Sequence, residues 1–64
     1  MLRVEILMKQ RDLIKKLEDA GFVFERHGGN HGIYRRGNDT EKVPRYKEVN
    51  ESLARMILRK WKLL

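Results

Sequence analysis

The sequence predicts a small α+β protein with the element order α-β-β-β-α. Three observations predict this class. Apolar residues near each end of the chain recur with helical spacing. The middle of the chain alternates in polarity between glycine-rich turns, which is typical of short strands. A chain of 64 residues has material for one small core only. The simplest arrangement is a two-layer sandwich, in which a three-stranded antiparallel sheet carries both helices on one face.

The first helix is predicted from Gln10 to Ala20, and Gly21 is suited to end it. Its apolar residues fall on one helical face: Leu13, Ile14, Leu17 and Ala20. The segment before this helix has two interpretations. Residues 1–7 are either an extension ahead of a single domain of residues 8–64 or, because Leu2, Val4 and Ile6 alternate, a short extra strand.

Three strands are predicted between the helices. The first runs from Phe22 to Arg26 and ends at a turn of residues 28–30. The second runs from His31 to Arg36 and ends at a turn of residues 37–39. The third, Lys42 to Pro44, ends at a proline that cannot donate a ladder hydrogen bond. The short turns predict consecutive hairpins and therefore a meander.

The second helix is predicted from an N-cap at Asn50 to about Leu63. Its apolar stripe is Leu53, Ala54, Ile57, Leu58, Trp61 and Leu64. Met56 is expected to flank the core. Phe22 and Phe24 are expected to share a strand face and, together with Trp61, to lie in the core.

The charge distribution indicates a polyanionic partner. Fifteen Lys and Arg oppose nine Asp and Glu, giving a net charge of +6 and a pI of about 10.1. Such a balance favours nucleic acid as the ligand. The excess of positive charge is concentrated in residues 26–47, which contain six basic residues and only two acidic ones, Asp39 and Glu41. The six basic residues are Arg26, Arg35, Arg36, Lys42, Arg45 and Lys47.

The absence of cysteine excludes disulfides and thiolate zinc sites, and it agrees with a reducing cytoplasm. No apolar run is long enough to span a membrane, so no membrane partner is expected. Two histidines without an adjacent carboxylate cluster do not form a closed ligand set, so neither a metal nor another cofactor is expected.

His31 is the strongest candidate for chemistry. An unperturbed imidazole has a pKa of ~6.5 and can both accept and donate a proton near neutral pH. RNA cleavage requires a base for the 2′-hydroxyl, a donor for the leaving oxygen and cations at the phosphate. Glycines on both sides of His31 would let a nucleic-acid backbone approach, and the Gly28-Gly29 pair would expose N–H groups to phosphate, although simple turn geometry also explains these glycines.

Two further residues have alternative explanations. His27 is a second candidate for proton transfer, but the glycines between it and His31 favour a phosphate contact or a strand-end residue instead. Tyr46 lies between Arg45 and Lys47 and is placed to touch RNA or a protein partner. Three function classes therefore remain: an endoribonuclease, a non-catalytic RNA-binding module, and an interaction protein whose basic face docks an acidic partner.

A family resemblance covers residues 8–64. The segment MKQRDLIKKLEDAGFVFERHGGNHGIYRR, followed by VPRYKEVNESLARMILRKWKL, resembles the HicA toxins of bacterial and archaeal toxin–antitoxin systems. The resemblance implies a fold similar to a double-stranded-RNA-binding domain and a metal-independent endoribonuclease, an mRNA interferase that arrests translation and growth. It also implies a HicB-type antitoxin that covers the active face. The toxin alone is then expected to be a cytoplasmic monomer and to form a higher-order complex with the antitoxin.

The resemblance also assigns roles to residues. The catalytic histidine of the family follows a Gly-Ser pair, and the matching residues here are Gly29, Asn30 and His31. Tyr46 stands where the family often has a second histidine, so a toxin homologue of reduced activity is an alternative. The residues expected to contact RNA are Arg26, His27, Gly29, Asn30, Arg35, Arg36, Lys42, Arg45 and Tyr46.

Overall fold

The computed structural model describes residues 7–64, and within them it confirms the α+β class. A three-stranded antiparallel sheet has the order β2-β3-β4, and a separate two-stranded sheet joins β1 to β5. The predicted alternation of residues 2–6 lies outside the described residues. The elements in chain order are β1 (Leu7–Lys9), α1 (Gln10–Asp19), β2 (Val23–Gly28), β3 (His31–Arg36), β4 (Asp39–Pro44), β5 (Glu48–Asn50) and α2 (Glu51–Lys60).

Two-residue turns join the strands of the larger sheet. Gly29 and Gly37 each occupy the first central position of a turn, with φ of 63° and 60°, and an asparagine follows each of them. A positive φ at this position is the requirement of a type II′ turn, whose twist matches that of the flanking strands. These turns fix the register, so that Gly28 pairs with His31 and Arg36 pairs with Asp39.

The two-stranded sheet was not predicted from the sequence. It pairs Met8 with the buried Val49. The Gln10 side-chain amide donates to the Pro44 carbonyl oxygen at 2.6 Å, and the Gln10 N–H donates to the Lys47 carbonyl oxygen at 2.9 Å. The start of α1 is therefore attached to the segment that leads from β4 into α2.

The core lies between the two helices and one face of the larger sheet. The helices contribute Leu13, Leu17, Ala54, Ile57 and Leu58, and the sheet contributes Tyr34 and Val43. Phe22 is fully buried as predicted, and its ring lies 5.1 Å from that of Trp61. The N-cap prediction is also confirmed, since the Asn50 side chain accepts a hydrogen bond from the Ser52 N–H.

Three predictions about the core are wrong. Phe24 is 46% exposed, because the buried cluster draws its sheet residues from β3 and β4 and does not extend over β2. Met56 is exposed because it points away from the buried stripe of α2. Leu64 is exposed because α2 ends at Lys60 and Lys62 adopts a positive φ of 60°, which turns the chain out of the helix.

Candidate nucleic-acid interface

The strand register divides the larger sheet into two faces. Residues that pair across antiparallel strands project from the same face. The face away from the core, called the open face below, therefore carries three rows of paired residues. These rows are Gly28–His31–Pro44, Arg26–Ile33–Lys42 and Val23–Arg35–Thr40. The opposite, helix-side face carries Gly32, Tyr34 and Arg36 from β3.

His31 is exposed at the first position of β3 on the open face. Its neighbour in β2 is Gly28, which has no side chain, so one flank of the imidazole is left clear. Arg26 and Lys42 are its diagonal neighbours in β2 and β4. Diagonal positions on an antiparallel sheet are about 7–8 Å apart, within reach of long side chains. The imidazole therefore lies between two cations on an accessible surface.

The turn before His31 is held against the segment that follows β4. The Arg45 N–H donates to the Asn30 carbonyl oxygen at 2.9 Å, which extends the β3–β4 ladder by one step. Gly29, Asn30 and Arg45 are exposed, and the next residue, Tyr46, is 63% exposed. These four predicted contact residues therefore lie at the same end of the sheet as His31.

Glu25 is a site residue that the sequence analysis did not select. A β-bulge between Phe24 and Arg26 brings its carboxylate toward two guanidinium groups. One oxygen accepts from Arg35 Nε at 2.5 Å, and the other accepts from Arg26 Nη1. The hydrogen bond from Arg35 is the main cause that lowers the pKa of Glu25, and the same bond raises the pKa of Arg35. Nothing in the sequence marks the bulge.

Arg36 does not lie with His31. Its side chain is on the helix-side face, where Nη1 donates to the Ala20 carbonyl oxygen at 3.1 Å and Nη2 contacts Asp39 at 3.2 Å. The guanidinium lies 4.6 Å from the centre of the Phe22 ring. These contacts attach β3 to the end of α1, and they hold the Arg36 guanidinium against Phe22 at the edge of the core.

His27 is also separated from His31 by the sheet. It pairs with Gly32, and its ring lies 4.9 Å from that of Phe24 on the helix-side face. Of the predicted contact residues in the strands, the structure thus brings Arg26, Arg35 and Lys42 to the face of His31 and places His27 and Arg36 on the other face.

Within residues 7–64, no group of three or more His, Asp or Glu side chains is arranged to hold a metal ion. In the same residues, neither helix has the length and apolar character that a membrane crossing requires.

The family model described as "HicA toxin of bacterial toxin-antitoxin" matches residues 10–63 of the 64 residues. The chain belongs to the HicA toxin family. It is therefore a toxin of a toxin–antitoxin system, and its partner is an antitoxin. No curated protein and no solved structure matches the chain.

The HicA match spans the whole described site. It runs from the first residue of α1 to beyond the end of α2, so both sheet faces and the turn before His31 lie inside it. In this HicA chain, Gly29 and Asn30 form the β2–β3 turn and His31 is the first residue of β3. The three residues Gly29, Asn30 and His31 therefore lie together at the β2–β3 turn.

Proposed function

We propose that this HicA-family toxin is a metal-independent endoribonuclease that cleaves mRNA on the open face, with His31 as its catalytic residue. The observation that carries the proposal is the position of His31. Its imidazole is exposed at the end of the sheet, next to Gly28 and between the diagonal cations Arg26 and Lys42. A phosphodiester held by those cations lies within reach of a group that can take a proton.

The reaction follows from this placement. His31 accepts the proton of a ribose 2′-hydroxyl, and the 2′ oxygen forms a bond to the adjacent phosphorus. The bond between phosphorus and the 5′ oxygen breaks, and the 5′ oxygen is protonated as it leaves. We assign that donation to the Tyr46 hydroxyl, because the bond from Arg45 to Asn30 holds this segment beside the turn. The phenol recovers its proton from solvent when the imidazolium releases one.

Cations on the open face stabilise the charge that develops on the phosphate oxygens. Arg26, Arg35 and Lys42 lie in adjacent rows on the face of His31, and Arg45 follows β4 at the same end. Preorganised donors of this kind supply the electrostatic part of the catalysis, which a metal ion supplies in other nucleases. Arg36 and His27 are left out of this role because they lie on the other face.

The antitoxin is proposed to act on the same surface. A HicB-type partner that covers the open face would exclude RNA from His31 and neutralise the exposed arginines. The free toxin is then a cytoplasmic monomer, and the complex with antitoxin is a larger assembly.

The test is RNA cleavage by the purified wild-type protein and by His31→Ala. His31→Ala is expected to lose cleavage and growth arrest while its unfolding temperature and antitoxin binding stay unchanged. Asn38→Ala is the control, because Asn38 is an exposed turn residue at the opposite end of β3 from His31. Full cleavage by His31→Ala would contradict the assignment of His31 as the catalytic residue. Loss of wild-type cleavage when a chelator is added would contradict metal independence.

A non-catalytic RNA-binding module is the second candidate. It is favoured by Asn30 and Tyr46, which stand where the family resemblance leads us to expect a hydroxyl residue and a histidine. The open face would still bind phosphates, and affinity would fall steeply with salt as counterions are released. RNA that stays intact during long incubation with the wild-type protein, despite such binding, would favour this function.

A further inference from the structure

An exposed aromatic surface lies on the helix-side face of β2, and the proposed reaction does not use it. Phe24 is 46% exposed, and its ring lies 4.9 Å from that of His27 with an interplanar angle of 59°. His27 is also exposed. The two rings are called the aromatic platform below.

The platform is supported from beneath. Tyr34, buried in the core, packs edge-on against Phe24 with ring centres 5.5 Å apart. Gly32 lies beside the rings of Tyr34 and Phe24, and a Cβ atom there would be 3.2 Å from Tyr34 Cε1 and 3.6 Å from Phe24 Cε1. A Cβ atom at this position would require the Tyr34 ring to shift slightly, whereas its distance to Phe24 is an ordinary van der Waals contact. Phe24 therefore packs closely against the sheet at Gly32 and Tyr34 while its outer surface stays in solvent.

We propose that the aromatic platform stacks an unpaired base of a single-stranded RNA whose phosphates lie on the open face, an inference that rests on the proposed function. The position of Arg26 supports this proposal. Arg26 lies between Phe24 and His27 in β2 but projects from the open face. β2 is an outer strand of the sheet. An RNA strand that crosses this edge places a phosphate against Arg26 and a base against Phe24.

A base fits this surface better than a protein does. The bulge between Phe24 and Arg26 breaks the regular edge of β2, which opposes the addition of a strand from another chain. One half-exposed ring and one histidine are also far smaller than the ~800 Å² per partner of a stable protein interface. Every base has a face that stacks on an aromatic ring, so the platform selects unpaired RNA without reading its sequence.

The test measures RNA binding by the His31→Ala protein, which is expected not to cleave the RNA. This protein is called the parent below, and the other substitutions are added to it. Anisotropy of a labelled single-stranded oligonucleotide and of the same sequence as a duplex gives the two affinities. Phe24→Leu keeps an apolar side chain and removes the ring, whereas Phe24→Trp keeps a ring. Met56→Ala is the control, because Met56 is an exposed apolar residue of α2 that belongs neither to the aromatic platform nor to the open face.

Phe24→Leu is expected to weaken single-strand binding by about 5-fold to 150-fold, the usual range for one lost stack. Phe24→Trp and Met56→Ala are expected to bind as the parent does. Duplex affinity and the salt dependence of binding are expected to stay unchanged, because no phosphate contact is removed.

Equal single-strand affinity of Phe24→Leu and the parent would overturn the platform, as would a loss confined to antitoxin binding. The proposed nuclease fails separately, if wild-type protein leaves the oligonucleotide intact while the binding measurements still respond to Phe24. Absence of any RNA binding by the parent would overturn both.

Discussion

Separate replacement of Arg35 and Arg36 by alanine tests the assignment of the two sheet faces. The residues are adjacent in β3 and chemically identical, but they project from opposite faces. Arg35 lies on the open face with Glu25, and Arg36 lies against Phe22 and the end of α1. The structure therefore predicts that one replacement affects RNA binding and the other affects folding.

The loss of stability expected for Arg36→Ala is about 2 kcal/mol. A hydrogen bond from a charged donor contributes roughly 1.5–3 kcal/mol, and a guanidinium over an aromatic ring adds about 0.5–1 kcal/mol. The partial exposure of Arg36 places the bond to Ala20 at the low end. In a domain of 60–100 residues each kcal/mol shifts the unfolding temperature by about 4–8 °C, so a fall of about 8–16 °C is expected.

Arg35→Ala is expected to leave the unfolding temperature nearly unchanged, because its partner Glu25 holds it in an exposed ion pair. It is expected to weaken RNA binding and to reduce the slope of log K against log salt by about 0.7, the value for one phosphate contact on a single strand. Thermal unfolding followed by circular dichroism and binding titrations over a range of salt measure the two effects. The reasoning is refuted if Arg36→Ala reduces the slope while Arg35→Ala lowers the unfolding temperature.

Two more predictions concern ionisable groups. Glu25→Gln removes the carboxylate between Arg26 and Arg35, so RNA binding is expected to tighten at low salt and to converge with wild type at high salt; weaker binding would contradict this. Burial, with a smaller effect of Glu18, raises the pKa of Tyr34 above 10.0. The folded state then holds this proton more tightly than the unfolded chain does. This difference in proton affinity stabilises the folded state fully below pH 10.0, and the stabilisation is lost as the pH rises through the pKa of Tyr34 in the folded state. Urea unfolding across this range should show a decline that Tyr34→Phe reduces.

Local chemistry explains why much of the fold could be predicted. The buried stripes of both helices follow from their spacing, and the Asn50 cap follows from its side chain. The two turns follow from Gly-Asn pairs flanked by alternating residues. The β1–β5 pair could not be predicted in this way, because strands of three residues show no periodicity and their partners are about 40 positions apart.

The site was harder to predict because it depends on which face each residue occupies. His27 and His31 are four residues apart, a spacing that gives a shared face in an unbroken strand. The turn between them reverses the chain, and the register pairs His27 with Gly32 and His31 with Gly28, on opposite faces. The bulge at Glu25 shifts the alternation of β2 once more. Neither effect can be read from composition or from charge.

The two-residue turn between β2 and β3 has a consequence for how this toxin can be inactivated by mutation. Because side chains alternate along a strand, adding one residue to the hairpin while the turn stays at two residues and β3 keeps its pairing with β4 would leave His31 in place but shift β2 by one position. Arg26 would then face the helices, and His27 would take its place beside Ile33. A single-codon insertion could thus rearrange the cations around an intact histidine. Selection on this hairpin would therefore act on the number of its residues as strongly as on their identity.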